Sequence, residues 1–132
     1  MLFLKSYLAG LIAFLIIDFI WLKYVALSFY RSNIGHLMTD KPNLAVAGLF
    51  YLFYVVGVVI LAVYPALEKQ SWMIAMLYGG LLGLVAYGTY DITNLATLKN
   101  WPPIVTIVDM IWGTVLTASV ATISYFITVA LR

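Results

Sequence analysis

The sequence contains no cysteine, a single histidine and few charged residues. Without cysteine, the chain cannot form disulfides, thiolate metal sites, iron–sulfur clusters or a cysteine nucleophile. One histidine, His36, is also too few for a bis-histidine haem or a multi-histidine metal centre. Seven basic and five acidic residues give a net charge of +2, too small and too scattered for a nucleic-acid surface. The sequence therefore predicts no cofactor, no metal and no nucleic-acid partner.

Most residues of the chain are hydrophobic. Hydrophobic residues make up 65% of it and charged residues 9%, and the mean hydropathy is +1.07, whereas a soluble chain has about 25% charged residues. Four apolar stretches are long enough to cross a bilayer. They predict an all-α membrane protein, a single domain over residues 1–132, with transmembrane helices at about 2–27, 43–64, 72–98 and 102–131. We expect Pro65 to end the second helix.

The four predicted helices are antiparallel, so both termini lie on one side of the membrane, here called side A. The connectors near residues 28–43 and 99–101 lie on the other side, side B. A short interfacial helix is predicted over about 29–37, with a water-exposed loop as the alternative. Three basic residues on side A oppose four on side B, so the positive-inside rule selects no orientation. The first stretch contains Asp18 and no small-residue cleavage site, which favours a retained helix over a signal peptide.

Three aspartates lie at a matching depth in these helices. Asp18 lies seven residues before Val25, near the side-B end of its predicted helix, and Asp91 and Asp109 are each seven residues from the side-B end of theirs. Seven residues correspond to about 10 Å at 1.5 Å per residue. A buried aspartate costs roughly 2.5–3.5 kcal/mol on insertion scales, so these side chains should face the bundle interior and one another. No arginine lies at this depth, and Lys23 is expected to extend to the side-B surface instead. We therefore expect at least one of the carboxyls to carry a proton near neutral pH.

Polar and aromatic residues at a similar depth complete the predicted ligand or proton site. Its members are Asp18, Trp21, Tyr51, Tyr54, Tyr87, Tyr90, Asp91, Thr93, Asn94, Asp109 and Trp112. The pattern aliphatic-Asp-x-Ile-Trp occurs twice, at residues 17–21 and 108–112, on helices that run in opposite directions. This repetition indicates a pseudo-twofold site, as inverted repeats do in some transporters, or a chance match between apolar helices.

Small residues recur at helix-packing spacing on the last two helices. Gly79 and Gly83 form a GxxxG pair on the third helix, and Gly113, Thr117 and Ala121 form a stripe on the fourth. Such faces allow two membrane helices to approach closely. They predict a homodimer that forms through these faces within the lipid bilayer.

The run from Tyr87 to Leu98, with Trp101-Pro102 after it, resembles the motif YGTYDxTNLATLxxWP. This motif is typical of a family of small bacterial inner-membrane proteins catalogued as a domain of unknown function. Residues 109–113 and the stretch from 50 to 66 are similar as well, so the resemblance covers nearly the whole chain. It implies four helices and a location in the bacterial inner membrane. It implies no activity.

Several functions fit these residues. One is a small proton- or cation-linked transporter or permeation unit, because carboxyls without a fixed counter-charge can load and release protons. Another is a membrane-embedded enzyme acting on a lipid or isoprenoid, with Asp91 as general acid or base and Asp18 or Asp109 as its partner. A third is a binding or assembly module for an apolar ligand. The structural alternative is that the aspartates only hydrogen-bond neighbouring helices. The sequence leaves open whether the protein is an enzyme.

Overall fold

A computed structural model describes the whole chain, residues 1–132. The chain is helical throughout and has no strands. Four helices are long and apolar enough to cross a bilayer: α1 (Leu2–Leu37), α2 (Leu44–Lys69), α3 (Trp72–Thr97) and α4 (Pro103–Ala130). The prediction of an all-α membrane protein with four transmembrane helices is therefore confirmed.

The first helix is longer than predicted, because α1 does not stop near residue 27. Its successive parts are an α-helical segment (Leu2–Trp21), a π-helical turn (Leu22–Ala26), a second α-helical segment (Leu27–Ile34) and a 3₁₀ turn (Gly35–Leu37). In the π-helical turn, the Leu27 N–H donates to the Leu22 carbonyl, five residues earlier. No proline or glycine lies between Gly10 and Gly35 to end the helix. The separate interfacial helix predicted over 29–37 is instead the continuous end of α1.

The prediction that Pro65 ends the second helix is wrong, since α2 continues to Lys69. Pro65 directly follows a second π-helical turn, Val59–Val63, where the Tyr64 N–H donates to the Val59 carbonyl. In a regular helix, a proline ring collides with the carbonyl four residues earlier and removes a hydrogen bond. The wider π-helical turn changes the bonding pattern just before Pro65. The proline then occupies the first turn of the next α-helical segment, where it is tolerated.

The third and fourth helices form the most extensive helix pair, through the small residues predicted to form a dimer. A Cβ atom on Gly83 would overlap the Gly113 carbonyl oxygen and lie 2.8 Å from Thr117 Oγ1. A Cβ atom on Gly79 would lie 2.9 Å from the Ala121 Cβ. All five residues are buried. These small residues therefore pack α3 against α4 within one chain, and the homodimer stays a prediction.

The second helix packs differently at its two ends. Its side-A part contacts α3 and contributes to a core of 13 buried hydrophobic residues that includes Phe14 and Leu116. Its side-B part, Leu44–Val58, approaches α3 only sparsely and exposes large side chains such as Leu49 and Phe53. Because α2 and α3 separate toward side B, a cleft between them opens to the surrounding lipid.

Candidate functional site

Asp91 on α3 and Asp109 on α4 lie next to each other inside the bundle. Each is nine residues from Asn100, in the turn between the two helices, so the antiparallel hairpin brings both to one level. Asp91 is 0% exposed and Asp109 is 7% exposed. Their carboxyl groups are close enough to interact directly. Two of the three predicted carboxyls therefore form a buried pair.

The side chain of Asp91 has no hydrogen-bond partner at either carboxyl oxygen. Its backbone, by contrast, is held firmly. The Thr106 hydroxyl donates to the Asp91 carbonyl at 3.1 Å and accepts the Trp101 indole N–H at 3.0 Å. A buried, unpartnered carboxylate is strongly disfavoured, whereas a neutral acid is tolerated. The carboxyl group of Asp91 therefore makes no hydrogen bond to a neighbouring helix of the kind that a purely structural role would require.

Asp109 accepts a hydrogen bond from the hydroxyl of Tyr30. Tyr30 lies in the part of α1 beyond its predicted end, so its side chain extends from side B into the bundle. The sequence prediction missed Tyr30 because it placed this residue in a connector. The lack of helix-breaking residues after Asp18 is the signal that would have placed it on α1. Tyr30 links the aspartate pair to side B.

Asp18 stands apart from this pair. Nowhere does the chain bring three histidine, aspartate or glutamate side chains close enough to hold a metal ion. Asp18 is 8% exposed and lies beside the Trp112 indole, whose buried N–H has no hydrogen-bond acceptor. The Trp112 ring stacks on Trp21 with the ring centroids 4.3 Å apart and the planes 8° from parallel. The two copies of the repeated pattern therefore meet at their tryptophans.

An aromatic cleft of about 340 Å³ opens between α1, α2 and α3, a volume at the lower end of ligand pockets. Its walls are Ala86 and six aromatic residues: Phe14, Phe50, Tyr51, Tyr54, Tyr87 and Tyr90. Tyr51 also lines an adjoining cavity together with Asp18. The Tyr54 and Thr117 hydroxyls are hydrogen-bonded at 2.8 Å. All four predicted tyrosines thus line one cleft, whereas Phe14 and Phe50 were missed because nothing distinguishes them from other apolar residues.

Tyr87 connects the aromatic cleft to the aspartate pair. Its ring packs directly on α4 at Gly113, where a Cβ atom would overlap the ring. Tyr87 lies one helical turn before Asp91 on α3, and Gly113 lies one turn after Asp109 on α4. Gly113 therefore has a second role besides helix packing, because it gives the Tyr87 ring the space to pack against α4 one turn from the aspartate pair.

The remaining predicted residues lie at the edge of this region. Asn94 is half-buried and lies beside the Tyr90 side chain, which forms a cleft wall. Thr93 is exposed, and its carbonyl accepts the Thr97 hydroxyl. The structure therefore brings Asn94 to the site and leaves Thr93 outside it.

Comparison with known proteins identifies a family. The sequence model described as "Predicted membrane protein (DUF2177)" matches residues 3–126. No curated protein and no solved structure matches the chain. The family description agrees with the four apolar helices and states no activity.

Proposed function

The chain belongs to the DUF2177 family of predicted membrane proteins, and we propose that it is a small proton-linked transporter or permeation unit. In this proposal the Asp91–Asp109 pair is the proton site, and the aromatic cleft holds the substrate. The bacterial inner membrane, which the resemblance of the Tyr87–Leu98 motif implies, is the proposed location.

The observation that supports the proposal most directly is the environment of the Asp91 carboxyl group. Its carboxyl group is fully buried beside a second carboxyl and has no hydrogen-bond partner. No lysine or arginine can therefore neutralise it by direct contact. Two ionised carboxylates side by side in a medium of low dielectric constant repel each other, so the pair holds at least one proton. Because no fixed cation contacts the pair, the pair can change its charge only by releasing or taking up that proton.

The surroundings of the pair differ toward the two sides of the membrane. Toward side B, the Tyr30 hydroxyl reaches Asp109. Toward side A, the buried core closes the bundle; it includes Phe14, four residues before Asp18, and Leu116, seven residues after Asp109. The Tyr30 contact and the closed core together support proton access from side B, and access from one side at a time is what transport by alternating access requires. The bundle also contains one π-helical turn in α1 and one in α2, and such turns are often found at functional sites.

Proton entry into liposomes tests the proposal. Purified protein is reconstituted with a pH-sensitive dye trapped inside, and the external pH is lowered while valinomycin and potassium cancel the membrane potential. We expect proteoliposomes to acidify faster than protein-free liposomes from the same preparation. Equal rates in the two samples would overturn the proposal.

Tyr30→Phe should slow proton entry about tenfold, because a hydrogen bond to a charged group is worth roughly 1.5–3 kcal/mol. The substitution keeps the ring and removes only the hydroxyl that reaches Asp109. The initial acidification rate of the proteoliposomes measures the effect. Tyr24→Phe is the matched control, since Tyr24 lies on the same helix and is 70% exposed. If Tyr30→Phe conducted protons as fast as Tyr24→Phe, the role of Tyr30 in proton access would be refuted.

A membrane-embedded enzyme acting on a lipid or isoprenoid is the second candidate, and the lateral opening of the cleft favours it. A lipid chain can enter between α2 and α3 without crossing a headgroup layer, and Asp91 or Asp109 would act as the acid or base. Deletion of the gene should then change the lipid profile measured by mass spectrometry. Wild-type protein, but not Asp91→Asn, should restore it. An unchanged profile after deletion would exclude this candidate.

A further inference from the structure

The aromatic cleft contains no positive charge. None of its seven lining residues is a lysine, arginine or histidine. The nearest basic residue in sequence to Asp18 is Lys23, which is exposed and has its Nζ 5.4 Å from the centroid of the neighbouring Tyr24 ring. Lys23 thus contacts an exposed ring outside the cleft. No fixed cation of the protein neutralises this region.

An acidic group, by contrast, lies beside one of the cleft walls. Asp18 and the cleft residue Tyr51 line the same adjoining cavity. Asp18 is also more than nine-tenths buried and has no basic partner, so its carboxyl is neutral while the cleft is empty. A cation bound beside it would favour the ionised form, and salt and water would screen the resulting charge pair only weakly.

We propose that the substrate of the aromatic cleft is a lipophilic organic cation, such as a hydrophobic amine or a quaternary ammonium or phosphonium ion. This inference rests on the proposed function, for which it names the substrate class. Six aromatic rings supply faces that attract a cation, each worth about 0.5–2 kcal/mol when water is excluded. Asp18 supplies the counter-charge, and the opening to lipid admits the apolar groups of the ligand. An anionic lipid headgroup would meet aromatic rings with Asp18 beside one of them and no basic partner, which disfavours it.

A pair of probe ions of matched shape tests this inference. Tetraphenylphosphonium and tetraphenylborate have nearly the same size and apolar surface and carry opposite charges. Binding of each to the detergent-solubilised protein is measured by equilibrium dialysis, with protein-free micelles as the blank. We expect saturable binding of tetraphenylphosphonium and at least about tenfold weaker binding of tetraphenylborate, the ratio that 1.4 kcal/mol of charge selectivity gives. Equal binding of the two ions, or no binding of the cation, would overturn the inference.

Substitution at Asp18 tests the location. Asp18→Asn should weaken tetraphenylphosphonium binding about tenfold, a loss of about 1.4 kcal/mol, and leave tetraphenylborate unchanged or slightly tighter. Asp40→Asn removes an exposed carboxyl from the connector and should bind both ions as the wild type does. An unchanged cation affinity in a folded Asp18→Asn protein would refute the role of Asp18. If that variant did not fold, Tyr51→Leu, which removes a cleft ring, would test the same site with the same expected loss.

The binding experiment uses no proton gradient, so it separates this inference from the proposed function. Proton flux together with equal binding of the two ions would refute the cation assignment and leave the transporter standing. Selective cation binding without proton flux would support the assignment of the cleft and refute proton-linked transport.

Discussion

Asp91→Asn should reduce proton entry to the rate of protein-free liposomes, a loss of about 100-fold or more if Asp91 carries the proton directly. Asparagine has nearly the same shape and does not ionise, so the variant removes the titrating carboxyl group and preserves the packing. Because Asp91 has no hydrogen-bond partner at its carboxyl oxygens, no other side chain loses a bond. The initial rate of dye acidification in proteoliposomes measures the effect, and circular dichroism confirms that the helices persist.

Asp40→Asn is the matched control for this substitution, because it exchanges the same chemical groups at an exposed carboxyl. It should conduct protons at the wild-type rate. An Asp91→Asn protein that is folded and conducts as fast as the control would show that Asp91 is not the proton site. If both variants lost proton conduction, the loss would result from the change in the overall charge of the protein.

Gly83→Ala should destabilise the folded protein by about 1–3 kcal/mol, the usual cost of adding a methylene to a close-packed interior. The new methyl would overlap the Gly113 carbonyl oxygen, and a backbone atom cannot move aside as a flexible side chain can. The free energy of unfolding, obtained by titration with a denaturing detergent, measures the change. Because α3 and α4 also carry the aspartate pair, proton flux should fall together with the stability.

Gly48→Ala provides the comparison within the same protein, since a Cβ atom there would meet no other atom within 4 Å. It should be neutral or stabilising by up to about 1 kcal/mol, because alanine is the better helix former. If the two variants were equally stable, α3 and α4 would not pack at Gly83 as described.

The number and the order of the transmembrane helices could be predicted because long apolar runs have few alternatives in a bilayer. The ends of these helices were harder to predict. Pro65 indicates a helix end in most contexts, and a π-helical turn before it removes the clash that would cause one. α1 contains the same kind of turn and continues to Leu37, beyond the length that a bilayer requires. Local sequence patterns do not reveal where a helix contains such a π-helical turn.

The depth of the candidate site in the membrane could be predicted from the sequence, but not which of its side chains lie next to one another. Counting residues from the helix ends placed three aspartates at one level, and Asp91 and Asp109 are neighbours across the α3–α4 hairpin. The rotation of α1 about its axis, which places Asp18 beside Trp112, depends on packing with distant residues and cannot be obtained by counting. The same holds for the small residues, because a GxxxG face does not specify whether its partner is another copy or the next helix.

The central claim is that the Asp91–Asp109 pair holds an exchangeable proton, and infrared spectroscopy tests it most directly. The wild-type-minus-Asp91→Asn difference spectrum, recorded on membranes at neutral pH, should contain the C=O stretching band of a protonated carboxylic acid. Transfer to D₂O should shift this band, because an exchangeable proton is replaced by deuterium. A difference spectrum with only the bands of an ionised carboxylate would contradict the account, since Asp91 would then be charged in the buried position described here.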